Sequence, residues 1–204
     1  MPRNPTQTAS LYTRAGRRKY LTHAERQRFL DAAQRCPRFE VRMLCLTLAY
    51  TGCRISEALE LTRPALEAEA GFIAFRTLKR RLHTVIIREV PVPQYLLADL
   101  IRMHGNVLPS RLWPYSRSQA WRLVKAVMRE AGIADGPHAS PKGLRHGFGV
   151  HAIRSGVPLH LVQRWLGHAS MTTTAIYLQV IGDEERAIAK RMWRETDHAA
   201  IIVP

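Results

Sequence analysis

Helix-start and helix-stop signals recur along this chain at short intervals and leave room for little else. Thr22 with Glu25 forms a capping box ahead of Phe29, Leu30 and Ala33, which share one face of a helix from Thr22 to Arg35. Pro37 ends it. A second helix, Arg38 to Tyr50, buries Val41, Leu44, Cys45 and Leu48 before Thr51-Gly52 breaks the chain. Arg54 then stands on the first turn of a short helix ending near Leu61. Pro93 opens a helix through Met103 with Leu96, Leu97, Leu100 and Ile101 inward. Ser116 to Ala131 reads as a long amphipathic helix closed by Gly132. Ser140-Pro141 supplies a cap and a first-turn proline for a helix through Ser155, and Pro158 opens another to Leu166. Ser170 caps the helix that carries Tyr177, and a last helix spans Asp183 to Arg194. Only Gly71 to Arg76 and Thr84 to Val92 have strand composition, around the basic tip Thr77-Leu78-Lys79-Arg80-Arg81. The expected architecture is one mainly α domain with a small antiparallel β-hairpin or sheet.

Charge narrows the partner. Lys and Arg number 31 against 16 Asp and Glu, a net +15 over 204 residues, which points to a polyanion rather than to surface decoration. Residues 1–20 carry Arg3, Arg14, Arg17, Arg18 and Lys19 and no acid, and read as a mobile basic arm held by nothing local, either lying along phosphates or frayed. Cys36, Cys45 and Cys53 follow no zinc or disulfide spacing and fit a reducing cytoplasm, packed as small apolar groups. The N-terminus lacks the apolar core of a signal peptide, and Met43 to Tyr50 is too short to span a bilayer. A cytoplasmic protein with no membrane contact is expected.

Reactive side chains concentrate between Ser140 and Val180. Lys142, Arg145 and His146 share one cationic turn, His168 follows a Leu-Gly pair, and Tyr177 comes nine residues later. Taken singly, each has a plain structural explanation. Arg54 alone is an ordinary helix-start arginine, His168 a polar residue linking helices, and Tyr177 half-buried packing.

Their order is what is distinctive. Gly52-Cys53-Arg54-Ile55-Ser56-Glu57-Ala58-Leu59 resembles the G-x-R-x-S-E-x-L segment of tyrosine recombinases, the phage integrase family. Leu144-Arg145-His146 resembles the L-R-H of that family's second box. Leu166-Gly167-His168 with Thr173-Thr174-Ala175-Ile176-Tyr177 resembles its L-G-H and T-T-x-x-Y box, and Lys79 stands where the family's hairpin lysine lies. The resemblance covers roughly residues 20 to 190. It implies a tyrosine recombinase catalytic-domain fold over 21–195, preceded by the arm 1–20 and followed by a tail 196–204.

The resemblance also implies the roles, and the chemistry asks for these residue types. A phenol with a pKa of about 10 is almost wholly protonated at neutral pH and must lose its proton as it attacks. Tyr177 is the implied nucleophile, forming a 3′-phosphotyrosyl link. Arg54 and Arg145 would grip the scissile phosphate with forked hydrogen bonds that lysines do not make. Lys79 would protonate the leaving 5′-oxygen, and His168 would donate a hydrogen bond to a phosphate oxygen. Such a link conserves the phosphodiester's energy, so no cofactor is expected. No P-loop and no metal-ligand spacing is present.

Two departures stand out. The family's second box reads H-x-L-R-H, whereas this chain has Lys142-Gly143-Leu144-Arg145-His146, a lysine where the family has histidine. Type IB topoisomerases, similar in fold and chemistry, carry lysine there. Lys142 would therefore help to activate Tyr177 or add charge, with His138 a nearby candidate to compensate. The chain is also short, with the arm in place of the family's N-terminal helical domain, and is similar to short invertases.

The implied function is site-specific recombination of double-stranded DNA for integration, excision or inversion, within a mobile element. Two protomers would bind each site and four would form the synapse, with Trp193 and Ala199 to Val203 as a docking plug or a self-packed tail. A type IB topoisomerase-like relaxing enzyme and a non-catalytic DNA-binding relative are the alternatives. Glu57 reads as orienting an arginine or as helix-surface charge, and His146 as a structural hydrogen-bonding residue. Trp121, Trp165 and Trp193 read as core or interface. The hairpin tip, the arm, and Arg117, Arg122, Lys125 and Arg129 are the candidates for phosphate contact.

Overall fold

A computed structural model describes residues 10–79, 84–104 and 111–180. The expected helix Asp183 to Arg194, Trp193, the tail 196–204, Arg3 and the tip residues 80–83 lie outside these residues. Helices dominate, as the capping signals require. They are α1 (His23–Arg35), α2 (Phe39–Thr51), α3 (Ile55–Leu59), α4 (Gln94–His104), α5 (Arg117–Glu130), α6 (Pro141–Arg154), α7 (Leu159–Leu166) and α8 (Met171–Ala175). A 3-10 turn, Ile176–Val180, continues α8 and carries Tyr177, so the nucleophile candidate sits on a tighter turn than the expected helix. Reciprocal capping boxes start α1 at Thr22 and Glu25 and α5 at Ser116 and Gln119.

The sheet has one strand more than the sequence suggested. Leu66–Glu67 (β1), Phe72–Lys79 (β2) and Thr84–Pro91 (β3) pair antiparallel in that order. A two-residue strand has too little alternation to be legible, and it exists because Leu66 pairs with Ile73. Ile73, Phe75 and Val90 point inward, and Phe75 lies opposite Arg88 in the register. Among the described residues no helix is long and apolar enough to cross a membrane.

The apolar interior forms two clusters. The larger joins α1, α2, α4, α5 and the sheet through Phe29, Leu44, Leu48, Phe75, Leu97 and Trp113. Cys36, Cys45 and Cys53 are buried and unbridged. The smaller lies between α6, α7 and the 3-10 turn and holds Phe148, Val162, Leu166, Ile176 and Tyr177.

Residues 10–20 correct the picture of an arm held by nothing. Leu11 is fully buried in the smaller cluster, and Tyr12 and Arg18 form an isolated β-bridge. Arg18 also forms an ion pair with Glu25, and Lys19 Nζ donates to the Ser10 carbonyl at 3.2 Å. The segment is polar by composition, so its anchoring depends on Leu11 and Tyr20 and on Glu25, outside it in sequence.

Candidate active site

The end of α2 sets the first arginine. Gly52 closes that helix with φ 60°, and a Cβ there would lie 2.5 Å from the Phe148 ring. Glycine alone satisfies both the left-handed backbone and the close approach. Two residues on, Arg54 caps α3 in extended conformation and leaves its side chain 46 % exposed. Glu57 accepts from the Arg54 backbone N–H at 2.7 Å and from its Nη1 at 2.8 Å. Of the two readings of Glu57, the arginine-orienting one holds. Burial would raise its carboxyl pKa, but Arg88 and Arg54 pull it below the usual range.

Arg145 is held differently. Only 7 % exposed on α6, it donates from Nη1 to the Gly52 carbonyl at 2.8 Å and from Nη2 to the Leu166 carbonyl at 2.6 Å. One guanidinium therefore joins the ends of α2 and α7 to α6. Two of its five N–H groups are used in this way, which leaves donors for a ligand. Burial, with Arg54's charge nearby, lowers its pKa to about 10. It stays a cation at neutral pH.

His168 follows Gly167, which ends α7 with φ 64°. Its Nδ1 lies 2.9 Å from the Thr174 hydroxyl. Burial, then the charges of Arg145 and Arg54, push its pKa down to about 3, so the ring is neutral. His146 is neutral for the same kind of reason, pushed down to about 4 by burial and by Lys142 and Arg145.

Tyr177 lies between these two rings. Its hydroxyl is 3.2 Å from His146 Nδ1, and its ring stacks on His168 at 6.2 Å between centroids and 19° between planes. The phenol is 1 % exposed, and burial raises its pKa to about 12, with Arg145 and Arg54 pulling the other way. The close fit depends on Gly149, where a Cβ would meet the phenol carbons at 2.5 Å. His146, expected to be structural, thus touches the most chemically interesting oxygen of the chain.

Above the phenol opens a cavity of about 720 Å³. Arg54, Lys142, Arg145 and His168 all line it, as do Arg14, Lys19 and Arg117. No carboxylate lies among its described lining residues, so the cavity is built for an anion. Tyr177 is absent from the wall, though its neighbours Thr173 and Ile176 are part of it. Lys79 ends β2, paired with Thr84, and its side chain lies outside the described part of the structure. His138 is elsewhere, buried 3.7 Å from Glu25, and does not stand in for the missing histidine. Trp121 is 45 % exposed on the cavity wall rather than in the core, while Trp165 is partly buried against both clusters. No cluster of His, Cys, Asp and Glu able to hold a metal occurs among the described residues.

Arg88 is the site residue that the sequence did not single out. It is buried on β3, donates from Nη2 to Glu57 at 2.6 Å and from Nε to the Trp165 carbonyl at 2.8 Å, and lies over the Phe75 ring. The available signal is alternation: Arg88 stands two positions before Val90 on the same strand face, and both are buried while Ile87 is exposed.

The chain is similar to known proteins. A tyrosine recombinase XerA from Pyrococcus furiosus is 30% identical over 185 residues, covering 85% of this chain and 61% of its own length. A tyrosine recombinase XerD from Neisseria meningitidis serogroup B is 48% identical over 152 residues, covering 66% of this chain and 49% of its own. The chain thus spans between about half and three fifths of these relatives. A solved XerH site-specific recombinase, bound to a palindromic difH substrate in a post-cleavage complex, superposes with a TM-score of 0.69 at 20% identity, over 88% of this chain and 54% of that one. The phage integrase family pattern matches residues 19–183, which take in every element from α1 to the tyrosine turn, and the chain belongs to that family.

Proposed function

We propose that this chain cuts and rejoins DNA strands at defined sites through a covalent link between Tyr177 and a 3′-phosphate. The observation that carries the reading is the cavity: Arg54, Lys142, Arg145 and His168 line one space, with no carboxylate among its described lining residues, next to a phenol flanked by two neutral histidines. A phosphodiester is the anion this arrangement suits. The two guanidiniums offer forked donors to the non-bridging oxygens, and such preorganised donors are worth about 3–4 kcal/mol each at the transition state. His168, neutral at any ordinary pH, serves as a hydrogen-bond donor and not as a cation.

Attack requires the phenol to leave His146 and turn into the cavity. Its proton passes to solvent in the cavity as the oxygen–phosphorus bond forms, and the positive charge of Lys142 and the arginines lowers the cost of the phenolate. The bond to the 5′-oxygen breaks, and Lys79 on the hairpin delivers the proton that oxygen needs. Ligation is the reverse. Two copies on each site and four in a synapse complete the reaction, and DNA duplex is held by Arg14, Lys19 and Arg117 on the cavity wall and by the basic hairpin tip. The XerH–difH complex, of the same fold, supports duplex DNA as the partner. The XerA and XerD relatives favour site-specific exchange over simple relaxation.

The test is a nicked suicide duplex carrying candidate sites from the native locus. The wild type forms a covalent protein–DNA adduct and Tyr177→Phe does not. An adduct with the Phe variant removes Tyr177 as the nucleophile.

A further inference from the structure

Thr174 has no assigned part in the chemistry, yet it is fully buried and its hydroxyl makes a 2.9 Å contact with His168 Nδ1. A hydroxyl has one hydrogen to place and can accept through its lone pairs. If Nδ1 carried the histidine's proton and gave it to Thr174, the hydroxyl hydrogen would itself need a second acceptor in a site closed to water. Nδ1 of His168 is the hydrogen-bond partner found for that oxygen. Leaving a buried donor unpaired is costly, so the arrangement favours the hydroxyl giving its hydrogen to a bare Nδ1.

The consequence lies on the other side of the ring. His168 lines the anion cavity beside Arg54 and Arg145. A neutral imidazole has one N–H, and which nitrogen bears it is set by the partner of the other. We propose that Thr174 is a positioning residue: by donating to Nδ1 it holds His168 in the tautomer whose proton is on Nε2, the nitrogen left to donate to a phosphate oxygen. The nearby arginine charges reinforce this by keeping the ring from taking a second proton. Thr174 stands on α8, whose start is fixed by Ser170 accepting from the Thr172 N–H at 3.2 Å. The cap sets the register of the short helix and so brings residue 174 back under the ring of residue 168.

The proposal rests on His168 acting as a phosphate donor, and it is tested first without DNA. Nitrogen-15 spectra of the histidine-labelled full chain, with His168 assigned by its loss in His168→Gln, read the tautomer directly. The expected result is a protonated Nε2 and a bare Nδ1 in the wild type, with the preference weakened in Thr174→Val. A protonated Nδ1 in the wild type overturns the proposal, whatever Tyr177 does in the adduct assay.

Single-turnover cleavage adds the functional arm. Thr174→Val, nearly isosteric, lowers the rate about tenfold or more, as loss of a tautomer-setting partner does elsewhere. Thr174→Ser restores it. In a His168→Gln background Thr174→Val has no further effect. An equal drop in both backgrounds means that the threonine acts through packing alone and sinks the idea.

Discussion

The two apolar clusters differ in what they hold besides hydrocarbon. The larger, around Leu44, Phe75 and Trp113, contains none of the six residues expected to do chemistry. The smaller, around Phe148, Val162 and Leu166, contains Tyr177 itself. One is mainly a scaffold, which touches the site only at its edge through Ile55 on the cavity wall and Phe75 under Arg88. In the other the proposed nucleophile is also a core residue, packed against Gly149 on one side and in contact with His146 at its hydroxyl. Packing and chemistry are therefore separable in the first region and share atoms in the second.

Substitutions can break or sharpen that contrast. Arg145→Ala should have the largest effect. Cleavage falls roughly a hundredfold or more from the lost phosphate donors, and the unpaired Gly52 and Leu166 carbonyls cost about 1–3 kcal/mol of stability. Denaturant melts with single-turnover cleavage read both. Arg54→Ala is its control, with a similar loss of cleavage but a stability change within about 1 kcal/mol, because its ion pair with Glu57 is half exposed. Equal destabilisation by the two would erase the distinction.

Next in size, Leu44→Ala in the larger cluster costs about 2–5 kcal/mol from lost burial and the cavity left behind. Cleavage per folded molecule should stay unchanged. Gly149→Ala should cost about 1–3 kcal/mol by pushing a methyl group into the phenol. Here stability and adduct formation change together, as measured by melts and by the suicide-substrate assay.

The last test concerns pH. His146 and His168 titrate near 4 and 3 in the folded chain, against an ordinary value near 6.5 when unfolded. Between those values the unfolded chain binds more protons, so stability falls as pH drops from about 6.5 towards 4. The buried His138 and the half-buried His151 act in the same direction. His146→Gln should flatten part of this slope in melting temperature against pH, and an unchanged slope would mean that His146 is not held neutral by its surroundings.

Much of this was legible because it is local. The capping boxes at Thr22 and Ser116, the proline at 141 and the glycine at 52 each act within a few residues, and the helices they delimit appear where expected. Three of the motif stretches bring Arg54, Arg145, His168 and Tyr177 into one neighbourhood. What stayed hidden is long-range. Arg88 becomes a buried cation only because Glu57 and the Trp165 carbonyl, 31 and 77 positions away, converge on it. In sequence it is one more arginine in a basic chain, two positions before the buried Val90. Tyr177's place in the interior is equally invisible, because it depends on the absence of a side chain at Gly149.

The folding of Ser10 to Tyr20 has a practical outcome for anyone trimming this protein. The family pattern begins at residue 19, and a fragment cut there looks complete on paper. It would lack Leu11, which fills space in the cluster that holds the phenol, and Tyr12 and Arg14 from the rim of the anion cavity. A fragment that keeps these contacts starts no later than Ser10.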